Sequence, residues 1–260
     1  MKLAFTINPL RTKEEINSFK EVLELGMYQG VEIFYPKADK RVDYTEGINS
    51  IKQEFPNLEF VMHLPYGEDA NICDLENYGE SLNLLKEAIS YANLFAVKKL
   101  TLHLGRVNKE IDRTIFINHI VKVLTDLCNY AKKYGMFVMI ENMPGSGELG
   151  YSPKEILEII NEVNLDNLKF ILDTGHANVS EYEIADYVNT LVDHLMHLHL
   201  NDNDGTKDQH APFESGNIDF EKFINLMEEI NYQELYCLEI IFKDVEDLKV
   251  NAKALRSYKK

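Results

Sequence analysis

Residues 168–202 read LKFILDTGHANVSEYEIADYVNTLVDHLMHLHLND. They contain two apolar, β-rich runs, LKFILD (168–173) and LMHLHL (195–200), and each carries at or next to its end a side chain able to ligate a metal, Asp173 or His199. The same arrangement recurs on both sides of this stretch. FVMHLPY (60–66) carries His63, TLHLG (101–105) His103, VMIEN (138–142) Glu141 and YCLEI (236–240) Glu239. Imidazole nitrogen and carboxylate oxygen are the donors preferred by zinc, manganese and related divalent ions. Ligands from separate strands converge only if those strands run parallel with their C-terminal ends together, as at the mouth of an α/β barrel.

The rest of the chain agrees. Strands are expected at 2–7, 30–35, 59–64, 98–104, 136–142, 168–173, 195–200 and 235–241. Between them lie helical patterns: 12–25 with a stripe of Ile16, Phe19, Val22, Leu23 and Leu25, and 79–96 with Leu82, Leu85, Ala88, Ile89 and Ala92. Thr12 with Glu15, and Ser152 with Pro153 and Glu155, are helix starts. Gly26 and Gly135 stand where helices should stop. Eight strand–helix units in 260 residues, a repeat of roughly 32 residues, suit a single (β/α)8 TIM barrel over residues 1–260. No linker or low-complexity tract interrupts them. The glycines form neither a P-loop nor a dinucleotide fingerprint, and PGSGELG (144–150) reads as a flexible loop able to act as a lid.

The chain is 45% hydrophobic and 27% charged, with a net charge of −16. That charge opposes broad attraction to nucleic acid or an anionic membrane. No apolar run is long enough to span a bilayer, and MKLAFTINPL reads as a first strand rather than a signal peptide. Three widely spaced cysteines suit a reduced, cytoplasmic protein.

Glu141, Asp173, His199 and Glu239 form the central candidate ligand set. A loop hydrogen bond accounts for any one of them as well as a metal does. Four converging together without a cation would repel and be costly to bury. His176 follows Asp173 by three residues, and Asp208 and His210 share D-x-H spacing in the loop KDQHAPFESGNIDF. With His63 and His103 these are further metal or substrate contacts. His197, two residues before His199, should be a hydrogen-bonded interior histidine, and His119 and His194 carry no assigned role. Asn142, Asn201 and Asp202 are placed to orient ligands.

The ordered series HLPY, HLG, IEN, LDTGH, HLHLND, KDQH…SGNIDF and LEI resembles the xylose-isomerase-like TIM-barrel superfamily from the third strand to the eighth. That superfamily includes sugar and sugar-phosphate isomerases and epimerases, inosose isomerases and dehydratases, and endonuclease IV enzymes. In the isomerase branch, the resemblance implies one divalent metal on Glu141, Asp173, His199 and Glu239, with the two glutamates as acid/base groups. In endonuclease IV it implies three zinc ions on His63, His103, Glu141, Asp173, His176, His199, Asp208, His210 and Glu239.

The expected function is therefore a divalent-metal-dependent isomerase or epimerase of a small sugar, polyol or sugar phosphate, working by enediolate proton transfer. One ion of manganese, zinc, cobalt or magnesium is expected. The alternative is an endonuclease IV-like apurinic-site nuclease with up to three zinc ions. The charge of −16 and sparse loop cations (Lys37, Lys40, Arg41, Arg106, Lys109) weigh against it. A binding barrel without catalysis is disfavoured by the intact acid/base pair. Arg106 and Lys207 are the candidates to meet a substrate phosphate.

Overall fold

Eight parallel strands close on themselves in sequence order: β1 Lys2–Ile7, β2 Gly30–Phe34, β3 Glu59–His63, β4 Lys99–Leu102, β5 Phe137–Glu141, β6 Leu168–Asp173, β7 Leu195–Leu200 and β8 Leu235–Leu238. The structure, a computed structural model, describes residues 1–259. Around the barrel run helices α1 Lys13–Ser18, α2 Lys20–Glu24, α3 Arg41–Glu54, α4 Tyr78–Ala92, α5 Arg113–Lys132, α6 Pro153–Val163, α7 Thr174–Val179, α8 Ile184–Leu191, α9 Phe220–Glu229 and α10 Val245–Ser257. This is the (β/α)8 barrel that the sequence predicts. Among the described residues no helix is long and apolar enough to cross a membrane, and all three cysteines are buried and free.

Local chemistry sets the helix ends. Thr12 and Glu15 form a reciprocal capping box at α1, and Ser152 caps α6 ahead of Pro153. Gly26 and Gly135 take left-handed backbone (φ +63° and +65°) where their helices stop. The segment 12–25 departs from expectation: it breaks at Phe19 into two short helices. Ile16, Phe19, Val22 and Leu23 are buried as the stripe requires. Leu25 is 60% exposed, because α2 ends at Glu24 and the chain turns away at Gly26.

Strands alternate their side chains between the helix layer and the barrel interior. Most apolar side chains, including the buried faces of the helices, join one large core. Ala4, Val61, Met139, Ile171, Leu235 and Cys237 form a second, smaller cluster. Two residues further along the chain from Val61, Met139, Ile171 and Cys237 stand His63, Glu141, Asp173 and Glu239. At the opposite end, buried Lys99 lies 2.7 Å from both Glu59 and Glu234. The N-terminal mouth is thus closed by ion pairs, and the candidate ligands collect at the C-terminal one. β4 and β8 are shorter than the apolar runs suggested, so His103 and Glu239 are the first residues of loops. The Glu239 amide still donates to Leu200 O (3.0 Å), which keeps its side chain in register with the barrel.

Candidate metal centre

All nine side chains singled out in the sequence meet at this mouth. His103 Nε2 is 3.0 Å from Glu141 Oε2, and His63 Nε2 is 3.7 Å from the same oxygen. His199 Nδ1 faces both Glu141 Oε1 (3.2 Å) and Glu239 Oε2 (2.9 Å). His176 Nε2 and His210 Nε2 face one oxygen of Asp208, at 3.3 and 2.9 Å. Donor atoms of these nine residues fall into three groups small enough to hold an ion: His63–His103–Glu141, His176–Asp208–His210 and Glu141–Asp173–His199–Glu239; a fourth such group, Glu32–His197–His199–Cys237, shares His199. Most of these residues are buried, with Asp208 and His210 partly exposed at the rim.

The hydrogen bonds behind the imidazoles show that this donor set fits cations. His63 Nδ1 meets Leu64 O at 2.8 Å, His176 Nδ1 meets Asn142 O at 2.9 Å, and His210 Nδ1 meets Glu239 O at 3.0 Å. A carbonyl only accepts, so each Nδ1 carries hydrogen and donates. A neutral ring then turns its Nε2 lone pair toward a carboxylate, an arrangement that needs a proton or a metal ion between them. Asp208 Oδ1 is also buried without a hydrogen-bond partner. His210 pays for its aim with left-handed backbone (φ +44°), costly for a residue with a Cβ.

Electrostatics point the same way. Burial raises Asp173 to about 6. Burial also opposes ionisation of Glu141 and Glu239, but His199 and the other imidazoles near each overturn it and leave both below the usual range. Desolvation would lower His199 and His176, yet the surrounding carboxylates raise both well above 6.5. His210, likewise opposed by burial, reaches about 10 through its hydrogen bond to Asp208 and nearby carboxylates. His63 is lowered, by burial first and then by His103. Imidazolium protons thus neutralise carboxylates where divalent ions could do so.

Supporting residues hold this layer in place. Asn142 bridges β5 to β6, donating to Asp173 O (3.0 Å) and accepting from Asp173 N (2.7 Å). Asn201 Nδ2 donates to Asp173 Oδ2 (2.9 Å), whose partner oxygen accepts from His176 N (2.6 Å). Asp202 accepts instead from the amides of Asn203, Gly216 and Ile218, so it pins the loop carrying Asp208 and His210. His197 is an interior histidine as expected, hydrogen-bonded to Glu32 (2.9 Å). Glu32, fully buried on β2 and also bonded to His199 (2.7 Å), was not anticipated. The available signal was a lone charge inside the apolar run GVEIF.

The 144–150 loop is not the free lid its glycines suggested. Val107 N donates to Gly147 O (2.9 Å) and Leu149 N to Gly105 O (3.0 Å). Arg113 donates to Ser146 O, Glu148 O and Glu155, and Glu155 also accepts from Gly150 N (2.7 Å). These long-range bonds tether it on both sides.

Beside the candidate ligands opens a cleft of about 1110 Å³, walled by the loops after β1, β2, β3 and β8, with His63, His210 and Glu239 among its lining. Phe34, Tyr66 and Phe242 give it apolar surface, and its cations are Arg11, Lys37 and Arg41. Arg106 and Lys207, the residues expected to meet a phosphate, do not line it.

A family model described as xylose isomerase-like TIM barrel matches residues 19–260. An uncharacterized protein of Methanocaldococcus jannaschii is 26% identical over 208 residues, covering 77% of this chain and 70% of that one. A probable endonuclease 4 of Mycoplasmopsis synoviae is 28% identical over 211 residues, covering 73% and 74%. The crystal structure of a D-tagatose 3-epimerase-like protein superposes with a TM-score of 0.83 at 24% identity, covering 99% of this chain and 97% of that one.

Proposed function

The chain belongs to the xylose isomerase-like TIM-barrel family, and from that premise we propose that it is a divalent-metal-dependent isomerase or epimerase of a small sugar, polyol or sugar phosphate. The observation that carries this reading is the pair Glu141 and Glu239. Both carboxylates reach His199 Nδ1, from strand ends three positions apart around the barrel, and Glu239 borders the cleft. At about 1110 Å³, the cleft is of a size for a small molecule.

Glu141, Asp173, His199 and Glu239 would hold the ion. A bound divalent cation would polarise a substrate carbonyl and acidify the neighbouring C–H. Glu239, at the cleft wall, is assigned removal of that proton, and Glu141 its return on the other face. His63, His103 and His176 would hold substrate hydroxyls. The test incubates metal-loaded protein with ketoses and inososes in deuterium oxide and follows exchange at the carbon beside the carbonyl by NMR. Glu239→Gln should abolish exchange, and Glu141→Gln should abolish conversion to the epimer; exchange surviving the first change or epimerisation surviving the second overturns the assignment.

One observation favours a second reading, zinc-dependent cleavage of a phosphodiester at an apurinic site: nine donors in three adjoining groups. The charge of −16 and a cleft with only three cations among its lining weigh toward the small molecule. Nicking of an abasic duplex by zinc-loaded protein, with no exchange on sugars, would reverse the preference.

A further inference from the structure

Glu32 is a carboxylate in the barrel interior, with no exposed surface. Inward-facing positions of other strands at this depth hold Val61, Met139 and Ile171, which pack without charge. A buried carboxylate there is a costly substitute for an apolar side chain unless it serves its neighbours. Among its hydrogen-bond partners is His199, a member of the candidate metal centre. Oε1 accepts from Thr101 Oγ1 at 2.8 Å. Oε2 lies 2.9 Å from His197 Nε2 and 2.7 Å from His199 Nε2.

His199 is therefore spanned by carboxylates: Glu32 on Nε2, Glu141 and Glu239 on Nδ1. A carboxylate behind an imidazole fixes the ring's orientation and tautomer and strengthens the other nitrogen as a donor. With Nε2–H given to Glu32, the lone pair of a neutral His199 lies on Nδ1, at the carboxylates proposed to share an ion. We propose that Glu32 is the positioning residue of the metal centre: it holds His199 with Nδ1 presented to Glu141 and Glu239, and so sets the affinity of that group for a divalent cation. Thr101 holds Glu32 in turn. This rests on the metal reading of the site proposed above.

Cobalt(II) titration of the full chain tests it, read by affinity and by the absorption spectrum. Nitrogen-15 NMR of histidine-labelled protein, with zinc as the diamagnetic ion, reports the tautomer. Wild type should bind, with His199 protonated at Nε2 and metallated at Nδ1. Glu32→Gln should bind about 10- to 100-fold more weakly and lose that tautomer pattern. A role in stability alone would lower the melting temperature and leave both readouts unchanged, which overturns the inference. So would a thiolate-to-cobalt absorption band, because Glu32, His197, His199 and Cys237 also place donor atoms within 4.8 Å of one another. Such a band would make Glu32 a ligand rather than a positioner. Should Glu32→Gln fail to fold, Thr101→Val decides. It removes only the hydroxyl bonded to Glu32 and should weaken binding about fivefold; wild-type affinity overturns the proposal. Failure of wild type to bind any cation would instead refute the metal reading beneath it.

Discussion

Gly175, in the LDTGH segment, carries a sharp test because helix propensity and packing predict opposite signs. It lies in α7, where replacing glycine by alanine ordinarily stabilises by about 1 kcal/mol. Here a Cβ would stand 1.9 Å from Asn201 Oδ1, 2.8 Å from Asn201 Cγ and 3.0 Å from Asn203 Nδ2. Asn201 must move, and its bond to Asp173 Oδ2 (2.9 Å) goes with it. Asn203 Nδ2, which donates to Gly175 O (2.9 Å), is crowded as well. Overpacking costs about 1–3 kcal/mol, and a lost hydrogen bond to a buried carboxylate about 1.5–3 kcal/mol. Against the helical gain, Gly175→Ala should destabilise by about 2–4 kcal/mol, a fall in melting temperature of about 5–15 °C for a chain of this size. Circular-dichroism melts of Gly175→Ala, Asn201→Ala and the double variant test the cause. Removing the Asn201 side chain removes the two closest contacts and leaves only the 3.0 Å approach of Asn203 Nδ2, so Gly175→Ala should cost far less in the Asn201→Ala background than in wild type. A neutral or stabilising Gly175→Ala, or strictly additive effects, would refute the reasoning.

Three other outcomes are expected. Arg113→Ala should free the 144–150 loop, because it deletes the bonds to Ser146 O, Glu148 O and Glu155. With Arg113 32% exposed, the cost is about 2 kcal/mol, and limited proteolysis should then cut within the loop; an uncut loop refutes the tether. Metal-free protein should lose stability from pH 6.5 to about 10. His210 is raised from 6.5 to about 10 in the folded chain, so its contribution is complete below pH 6.5 and vanishes as the folded group deprotonates. Melts in chelator at pH 6, 8 and 10 should show the decline, whereas a bound ion in place of that proton should flatten it. Loading to 100 times the dissociation constant should add about 2.7 kcal/mol over chelated protein, and equal melting temperatures would refute a preformed cation site.

Strand and helix periods, end caps and the ligand-type residue closing each apolar run are local, so they were readable along the chain. Period-two alternation places 61 with 63, 139 with 141, 171 with 173 and 237 with 239 on one face of each strand, and β6 and β7 matched their runs to the residue. Parallel closure then required convergence at one mouth, which is why the six candidate ligands at strand ends could be named before their contacts were known, with His176, Asp208 and His210 added by their spacing. The partners of those residues were not readable in the same way. Glu32 meets His197 and His199 across 165 and 167 residues of sequence, and the lone charge in GVEIF marks a residue without saying which partners it meets. The loop at 144–150 has the composition of a lid, yet backbone bonds to Gly105 and Val107 and the side chain of Arg113 hold it. Its composition describes the freedom of an isolated segment, and those bonds exist only once β4 and β5 lie side by side. The same applies to Gly175, whose small size answers to Asn201 at the end of β7 rather than to its own backbone. Periodicity is a property of neighbours in sequence, whereas orientation, tautomer and tether depend on groups that ring closure alone brings within hydrogen-bond range.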